Sequence, residues 1–352
     1  MPLIGWSKNL FQDRIDFEGS LSTVDIQALI EDQELKVLQC STPVESQTWN
    51  LLNEQFFPLR PEVELRAYSF YTLPCDLSFA SKMTNVQHFS ADCLLEAVGV
   101  EHVAAMTNLK TLHIGIYKLE SFDFLNQVNP NLKRLILGAT RSKKPDLSPL
   151  SRFASLEEIY LEGQQKNIEV LSQLRNLKDV TLRSINTLDL RYLRPLQKMW
   201  SLDIKLGGIR NLNDIEGMET IKYLELWQIR ELTDIGVISS LRGLQYFFLQ
   251  SLRRISALPP LQQLKNLRRV SLDNLKDLRD FSSLEFAPAL VEFVHTRPQP
   301  FKPEDYLPLF RNPNLKSANV WYSSSKLNQR FDTLLADHKL APKHPLQPFE
   351  FI

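Results

Sequence analysis

The sequence has few of the features by which common classes of enzyme are recognised. Its 352 residues include three cysteines, Cys40, Cys75 and Cys93, with no CxxC pair, so we expect free thiols in a reducing compartment. Glycine is scarce, at 11 residues, and there is neither a glycine-rich phosphate loop nor a GxSxG motif. The six histidines are scattered without the spacing of metal ligands. The sequence therefore predicts no enzyme, no metal and no cofactor.

The sequence also lacks an excess of either charge and lacks long hydrophobic runs. Lys+Arg and Asp+Glu each number 41, so nothing attracts the whole chain to nucleic acid or to an anionic membrane. No stretch approaches the roughly 18 apolar residues of a membrane-spanning helix. Residues 1–17, interrupted by Asp13 and Asp16, do not resemble a signal peptide. We expect a cytoplasmic protein, with signal-independent secretion as an effector as the alternative, and no nucleic-acid or membrane partner.

What the sequence does contain is a repeated apolar unit. An apolar residue, two free positions, a second apolar residue, one free position and a third apolar residue recur every 21 to 25 positions. Eleven copies give 33 slots, of which 32 are apolar and one is His295, whereas the 43% hydrophobic content predicts about 14. The copies are Val86/Phe89/Ala91, Leu109/Leu112/Ile114, Leu132/Leu135/Leu137, Leu156/Ile159/Leu161, Leu177/Val180/Leu182, Met199/Leu202/Ile204, Ile221/Leu224/Leu226, Leu244/Phe247/Leu249, Leu267/Val270/Leu272, Leu290/Phe293/His295 and Leu315/Ala318/Val320.

This pattern resembles the leucine-rich-repeat family, especially the short repeats of about 22 residues in bacterial internalin-like proteins. The resemblance covers residues 86–320 and implies an α/β solenoid. The expected fold is a leucine-rich-repeat horseshoe with a concave parallel β-sheet and with short helices, 3₁₀ turns and loops on its convex side. The family usually places Asn or Cys eight residues after the first Leu. Apolar residues replace it here and recur three residues later, at Ile185, Ile229, Leu252 and Leu275 and then at Leu188, Leu232, Ile255 and Leu278.

The regions outside the clear repeats are expected to cap an otherwise exposed core. We divide the chain into an N-terminal cap with degenerate repeats (1–62), a repeat array (63–322) and a C-terminal capping helix with a tail (323–352). A strand is expected at 63–70 and an amphipathic helix at 324–340. Residues 341–352 contain three prolines and form either a tail or a strap over the cap.

The residues that the repeat leaves free are expected to lie on the concave face, where binding would occur. Because neighbouring strands lie about 4.8 Å apart, residues at equivalent positions become spatial neighbours. An aromatic patch with an acidic flank then emerges, which suits a protein partner with exposed Arg or Lys. The predicted partner-binding residues are Glu158, Tyr160, Asp179, Trp200, Asp203, Tyr223, Glu225, Trp227, Tyr246 and Phe248.

Other interpretations of these residues remain open. The aromatic residues could stack laterally to stabilise the sheet, or they could form a homodimer interface. The register Ser201/Ile204/Leu206 would remove Trp200 from the face. The leading hypothesis is a protein–protein interaction module, and its narrower versions are a bacterial toxin-neutralising (immunity) protein and an effector that captures a host protein. The alternative is a structural or self-assembling scaffold without a dedicated ligand.

Overall fold

The repeated units become short parallel strands. The computed structural model describes residues 6–8 (as backbone), 13–69, 74–344 and 346–352. These residues divide into two compact units, Met1–Asn176 and Leu177–Ile352. Some residues on which predictions were made lie outside the described residues. They are residues 1–5 and 9–12 of the N-terminal stretch that does not resemble a signal peptide, residue 70 of the strand predicted at 63–70, and residue 345 of the tail.

Among the described residues of the first unit, all strands but three lie in one parallel run. Strand β1 pairs antiparallel with β2, and β5 pairs with β7 as a separate two-stranded sheet. The parallel run follows the order β2, β3, β4, β6, β8, β9, β10. The strands are β1 (Trp6–Lys8), β2 (Arg14–Phe17), β3 (Val37–Cys40), β4 (Glu64–Ser69), β5 (Cys75–Asp76), β6 (His88–Cys93), β7 (Ala97–Val98), β8 (Thr111–Ile116), β9 (Arg134–Leu137) and β10 (Glu158–Glu162).

Two α-helices precede the regular repeats of this unit. Helix α1 (Thr23–Glu31) begins with a capping box, in which the Ser22 hydroxyl accepts from the Asp25 N–H and the Asp25 carboxylate accepts from the Ser22 N–H. Helix α2 (Ser46–Leu51) continues into a π-helical turn at Leu52–Phe56. The later return segments are 3₁₀ helices, at Ser78–Lys82, Val100–Ala105, Asp123–Asn126, Ser148–Arg152 and Ile168–Gln173.

In the second unit, seven strands pair in parallel and in chain order. They are β11 (Asp179–Arg183), β12 (Ser201–Lys205), β13 (Tyr223–Trp227), β14 (Tyr246–Gln250), β15 (Arg269–Asp273), β16 (Glu292–Thr296) and β17 (Ser317–Trp321). The return segments contain 3₁₀ helices at Arg191–Leu193, Asn213–Ile215, Gly236–Ser240, Ser282–Phe286 and Pro303–Tyr306, followed by helix α3 (Leu307–Phe310). Helix α4 (Ser325–Asp337) is the helix expected at 324–340 and buries Phe331, Leu334 and Leu335.

The apolar residues of the repeat form the core. Every residue of the eleven predicted units is buried, and the second and third residues of each unit lie on a strand. His295, the one polar member, is also fully buried, and its Nδ1 lies 2.7 Å from the Tyr306 hydroxyl. Burial lowers the pKa of His295 to about 3, so the ring stays neutral. The prediction that His295 occupies a core position is confirmed.

The apolar residues that replace the usual Asn also pack inside, with one exception. Ile185, Ile229, Leu252 and Leu275 are buried, whereas Leu188 is 82% exposed and the expectation for it was wrong. The repeat that begins at Leu177 is one residue shorter than the one that begins at Ile221. Leu190 is buried immediately before a 3₁₀ helix, as Ile235 is in the longer repeat, so the shorter repeat has no inward position that corresponds to Leu232.

The strands of the second unit end in a shared turn. The residue after each strand from β11 to β16 has a positive φ although none of them is glycine: Ser184, Leu206, Gln228, Ser251, Asn274 and Arg297. The N–H of Leu206, for example, donates to the carbonyl of Trp227 at 2.8 Å, and that of Gln228 donates to Gln250 at 2.9 Å. This left-handed turn adds one more hydrogen bond between neighbouring strands and directs the chain away from the sheet.

The predicted fold class is therefore confirmed within each unit, with a parallel sheet on one side and 3₁₀ turns and short helices on the other. Among the described residues, no helix combines the length and the apolar character needed to span a membrane.

Candidate functional site

The predicted aromatic patch lies on the sheet of the second unit. We call the side of β11–β17 opposite the core the open face. Tyr223 and Tyr246 begin β13 and β14 in register, and their ring centroids are 5.1 Å apart. Trp200 lies one residue before β12, so it stands at the strand edge and not on the face. The register Met199/Leu202/Ile204 is the one observed, since Leu202 and Ile204 are buried. Trp200, Tyr223 and Tyr246 are called the aromatic row below.

Two predicted acidic residues lie next to this row and share a cation. Asp203 and Glu225 are in register on β12 and β13, and the Lys205 Nζ lies 3.1 Å from Asp203 Oδ2 and 3.2 Å from Glu225 Oε1. The Tyr223 hydroxyl donates to Glu225 Oε2 at 2.9 Å. Lys205, which the sequence analysis left out of the site, therefore neutralises part of the predicted acidic flank.

The carboxylate pair is also poorly hydrated. Burial and then the neighbouring Glu225 charge raise the pKa of Asp203 to about 7, against the opposing effect of Lys205. Burial, followed by the Glu225 and Asp203 charges, raises the pKa of the Tyr223 hydroxyl. Asp203 Oδ1 is buried without a hydrogen-bond partner among the described residues. Near neutral pH the Asp203 carboxyl is therefore only partly ionised.

Trp227 is the last residue of β13 and Phe248 is the middle residue of β14, and both lie on the open face. Both side chains are half-buried, and Phe248 lies in register with Glu225. The Arg183 guanidinium lies over the Trp227 ring, with its carbon 5.7 Å from the ring centroid. The indole N–H of Trp227 has no acceptor among the described residues. Arg183 is a second cation that the sequence analysis did not place in the site.

The remaining predicted residues lie elsewhere. Asp179 begins β11 of the second unit, whereas Glu158 and Tyr160 lie on β10 of the first unit. Glu158 pairs with Arg134 at 3.0 Å, and the Tyr160 hydroxyl donates to Glu162 at 2.9 Å. Within the described part of the chain, no group of three or more His, Cys, Asp or Glu side chains is arranged to hold a metal ion.

The chain's own tail covers the aromatic row. Residues 346–352, called the tail segment below, lie along the leading ends of the strands. The Phe349 ring centroid is 5.2 Å from that of Tyr246, and the Phe351 centroid is 5.1 Å from Trp200 and 6.0 Å from Tyr223. The two Phe rings meet edge to face, 4.8 Å apart. The tail segment therefore supplies two aromatic partners for a surface that the sequence analysis treated as open.

Polar side chains at the strand ends hold the main chain of the tail segment. Lys222 Nζ and Gln245 Nε2 donate to the Ile352 carbonyl at 2.7 and 2.8 Å, and the Ile352 N–H donates to Gln245 Oε1 at 2.9 Å. The guanidinium of Arg268 donates to the Glu350 carbonyl, and that of Arg269 to the Gln347 carbonyl at 3.0 Å.

Both guanidinium groups also stack on the Phe349 ring, with the Arg268 and Arg269 carbons 4.6 and 5.0 Å from its centroid. These contacts were not predicted from the sequence. The signal for them is Phe349-Glu350-Phe351, an alternation typical of an extended segment with one apolar side.

Comparison with known proteins places the fold. No family model matches the sequence, and no curated protein matches it. Among solved structures, an internalin (InlF) from Listeria monocytogenes has a TM-score of 0.60 and 16% identity, covering 88% of this chain and 87% of that one. The functional domain of InlJ from the same organism has a TM-score of 0.51 and 16% identity, covering 87% and 62%.

The complex of TLR13 with ssRNA13 has a TM-score of 0.52 and 16% identity, covering 88% of this chain and 54% of that one. These similarities establish the leucine-rich-repeat fold. They confirm the resemblance to short, internalin-like repeats at the level of the fold.

Proposed function

We propose that this leucine-rich-repeat protein is a protein–protein interaction module and that the open face of its second unit is the binding surface. The observation that carries the proposal is the tail segment, because the leading ends of β12–β15 already hold an extended polypeptide. They do so through ring contacts with Phe349 and Phe351 and through hydrogen bonds to main-chain carbonyls. Both kinds of contact are typical of protein recognition of a peptide.

The centre of the open face remains available for a partner. Trp227 and Phe248 stay half-buried beside the Asp203 and Glu225 carboxylates, outside the contacts made by the tail segment. Aromatic residues next to carboxylates suit a partner that offers Arg or Lys, through cation–π contacts and ion pairs. One structural neighbour is a complex with RNA. A buried carboxylate pair would repel phosphates, so the proposed partner is a protein.

Location forms part of the same proposal. Cys40, Cys75 and Cys93 are buried, unpaired thiols, which suits a reducing compartment and thus the cytoplasm. Toxin neutralisation and capture of a host protein by an effector are two specific forms that the proposed binding function would take. The identity of the bound protein would decide between them.

Site-specific photo-cross-linking tests the proposal. p-Benzoylphenylalanine replaces Phe248 on the open face or, as the matched control, Phe286, which is 60% exposed in a 3₁₀ helix on the other side of the sheet. In lysate of the cells that encode the chain, we expect one defined protein to cross-link at position 248 and not at 286. An excess of unlabelled protein should compete with it.

Two further variants make the experiment decisive. Trp227→Ala should lower the cross-linking yield at position 248 at least about tenfold, whereas Trp321→Ala, an exposed Trp on β17, should leave it unchanged. Equal labelling at 248 and 286, or a yield that Trp227→Ala does not alter, would refute the open face as the binding surface.

A further inference from the structure

We propose that the groove along the aromatic row recognises an extended segment with aromatic residues at positions i and i+2, and that the tail segment is its intramolecular ligand, which a partner segment of the same form displaces. The inference rests on the proposed function and specifies its ligand. It depends on the two Phe rings that the tail segment places in the groove, on the side chains that stay exposed to solvent, and on the cations that face the tail segment.

The two rings provide most of the recognition. Phe349 and Phe351 are two residues apart, so in an extended segment they point to the same side. Phe349 lies against Tyr246 and two guanidinium groups, and Phe351 lies between Trp200 and Tyr223. The groove therefore has two adjacent aromatic subsites whose spacing matches residues i and i+2 of a strand.

The rest of the tail segment is held through its main chain. The carbonyls of Gln347, Glu350 and Ile352 accept hydrogen bonds, whereas the side chains of Leu346 and Ile352 are 51% and 80% exposed. Main-chain hydrogen bonds are independent of sequence. A ligand therefore needs the two rings and an extended backbone, and its other side chains are free to vary.

The cations that face the groove hold the main chain of the tail segment. Lys222, Arg268 and Arg269 all donate to the tail segment, and Arg269 also pairs with Glu292 at 2.5 Å. Lys222 and Arg268 have no carboxylate partner among the described ion pairs. None of the described ion pairs joins Glu350 to these cations, and in an extended segment its side chain lies on the opposite side from the two rings, so the middle residue of the ligand is free to vary.

The contacts are few enough for exchange with a partner. Phe351 is 37% exposed, and the groove holds only two rings and a few surface hydrogen bonds. A tethered ligand acts at an effective concentration on the order of 1 mM. For a dissociation constant of about 0.1 mM in trans, the tether would weaken the binding of a competing segment about tenfold.

A labelled copy of the tail segment tests this directly. The probe is a fluorescein-labelled peptide of residues 346–352, blocked at both ends, and its anisotropy is measured with the full chain. Phe349→Ala/Phe351→Ala vacates the groove and should bind the peptide at least about tenfold more tightly than wild type. A peptide with both Phe replaced by Ala should not bind. Equal binding by the wild-type and vacated chains would overturn the proposal.

Further variants assign the binding to the groove. Added to the vacated chain, Tyr223→Ala/Tyr246→Ala should abolish peptide binding, whereas Phe286→Ala on the other side of the sheet should not. Circular dichroism checks that each variant is folded. Retained binding after loss of both Tyr rings would place the peptide elsewhere and reject the proposal.

Light scattering distinguishes an intramolecular ligand from exchange between copies. We expect the wild type and the vacated chain to have the same mass. A wild-type dimer that becomes monomeric with Phe349→Ala/Phe351→Ala would mean that the tail segment binds a second copy, contrary to the proposal.

The cross-linking at position 248 is a separate measurement of the proposed function. Peptide binding without a cross-linked protein would reject the proposed function alone, and the reverse result would reject this inference alone.

Discussion

Replacing Asp203 with Asn should change the way in which stability depends on pH. The pKa of Asp203 is about 7 in the folded protein, because of burial and then the Glu225 charge, against an ordinary value of 3.8. Folding therefore favours the protonated acid. The free energy of unfolding of the wild type, compared with that of Asp203→Asn, should be highest below pH 4 and should fall as the pH rises towards 7. Above pH 8 the difference should be constant.

The size of this effect follows from the two pKa values. A difference of one pKa unit corresponds to about 1.4 kcal/mol, so a rise of about three units corresponds to about 4 kcal/mol. The Asp203 side chain is only 16% exposed, so little of this effect is lost to screening by solvent. Lys205 keeps Glu225 as its partner in the Asn variant, so the ion pair does not disappear altogether.

Urea unfolding, followed by circular dichroism at several pH values between 4.5 and 8.5, measures the difference. Asp189→Asn is the control, because hydrogen bonds from Arg191 lower the pKa of that exposed carboxyl. Its stabilisation is lost only as the pH falls below the ordinary value of 3.8, so the curves for the wild type and Asp189→Asn should be parallel across this range. Parallel stability curves for the wild type and Asp203→Asn across this range would refute the electrostatic account of the pair.

Three further substitutions test the fold. Arg60→Met should lower the free energy of unfolding by about 3 kcal/mol in urea titration, because its buried guanidinium donates to four carbonyls around the end of α1; a loss below about 1 kcal/mol would contradict this. Burial lowers the pKa of His295 to about 3, so the free energy of unfolding of the wild type should fall by about 2 kcal/mol relative to that of His295→Leu as the pH falls from 6.5 to 5. An unchanged difference would disprove this expectation. Gln228→Gly should increase the free energy of unfolding by up to about 1 kcal/mol and so raise the thermal midpoint, because Gln228 has a φ of 51°. A lower midpoint would argue against backbone strain at this position.

The repeated pattern could be predicted from the sequence because it is local. Three apolar side chains at fixed spacing, repeated at a nearly constant interval, determine which residues point inward, and all of them are buried, including His295. Leu188 is the exception. With one residue fewer, its repeat has no inward position between Ile185 and Leu190, and a count of apolar residues does not detect this.

The candidate site was less predictable because it depends on contacts between distant parts of the chain. The order of the strands placed Asp203, Glu225, Trp227 and Phe248 near one another, and they do lie on neighbouring strands. The pattern of free positions does not tell which side chains pair among themselves, so Lys205 was overlooked. Whether the predicted residues bind a partner is still to be tested.

The surface on which the tail segment lies could not be predicted from the sequence. Lys222 and Ile352 are 130 residues apart, and no periodicity relates them. The three prolines of residues 341–352 predicted a tail or a strap over the cap, but not the surface on which it would lie.

The path of the tail, described at 341–344 and 346–352, also affects how the second unit opens. A repeat protein normally frays from its ends, because each repeat contacts only its immediate neighbours. Here the Ala341 N–H donates to the Lys316 carbonyl beside β17, and Ile352 is bound by Lys222 and Gln245 beside β13 and β14. These contacts connect the outermost strand to strands several repeats inward. The last repeats of the unit should therefore unfold as one cooperative block, and hydrogen exchange should protect β14–β17 to a similar extent.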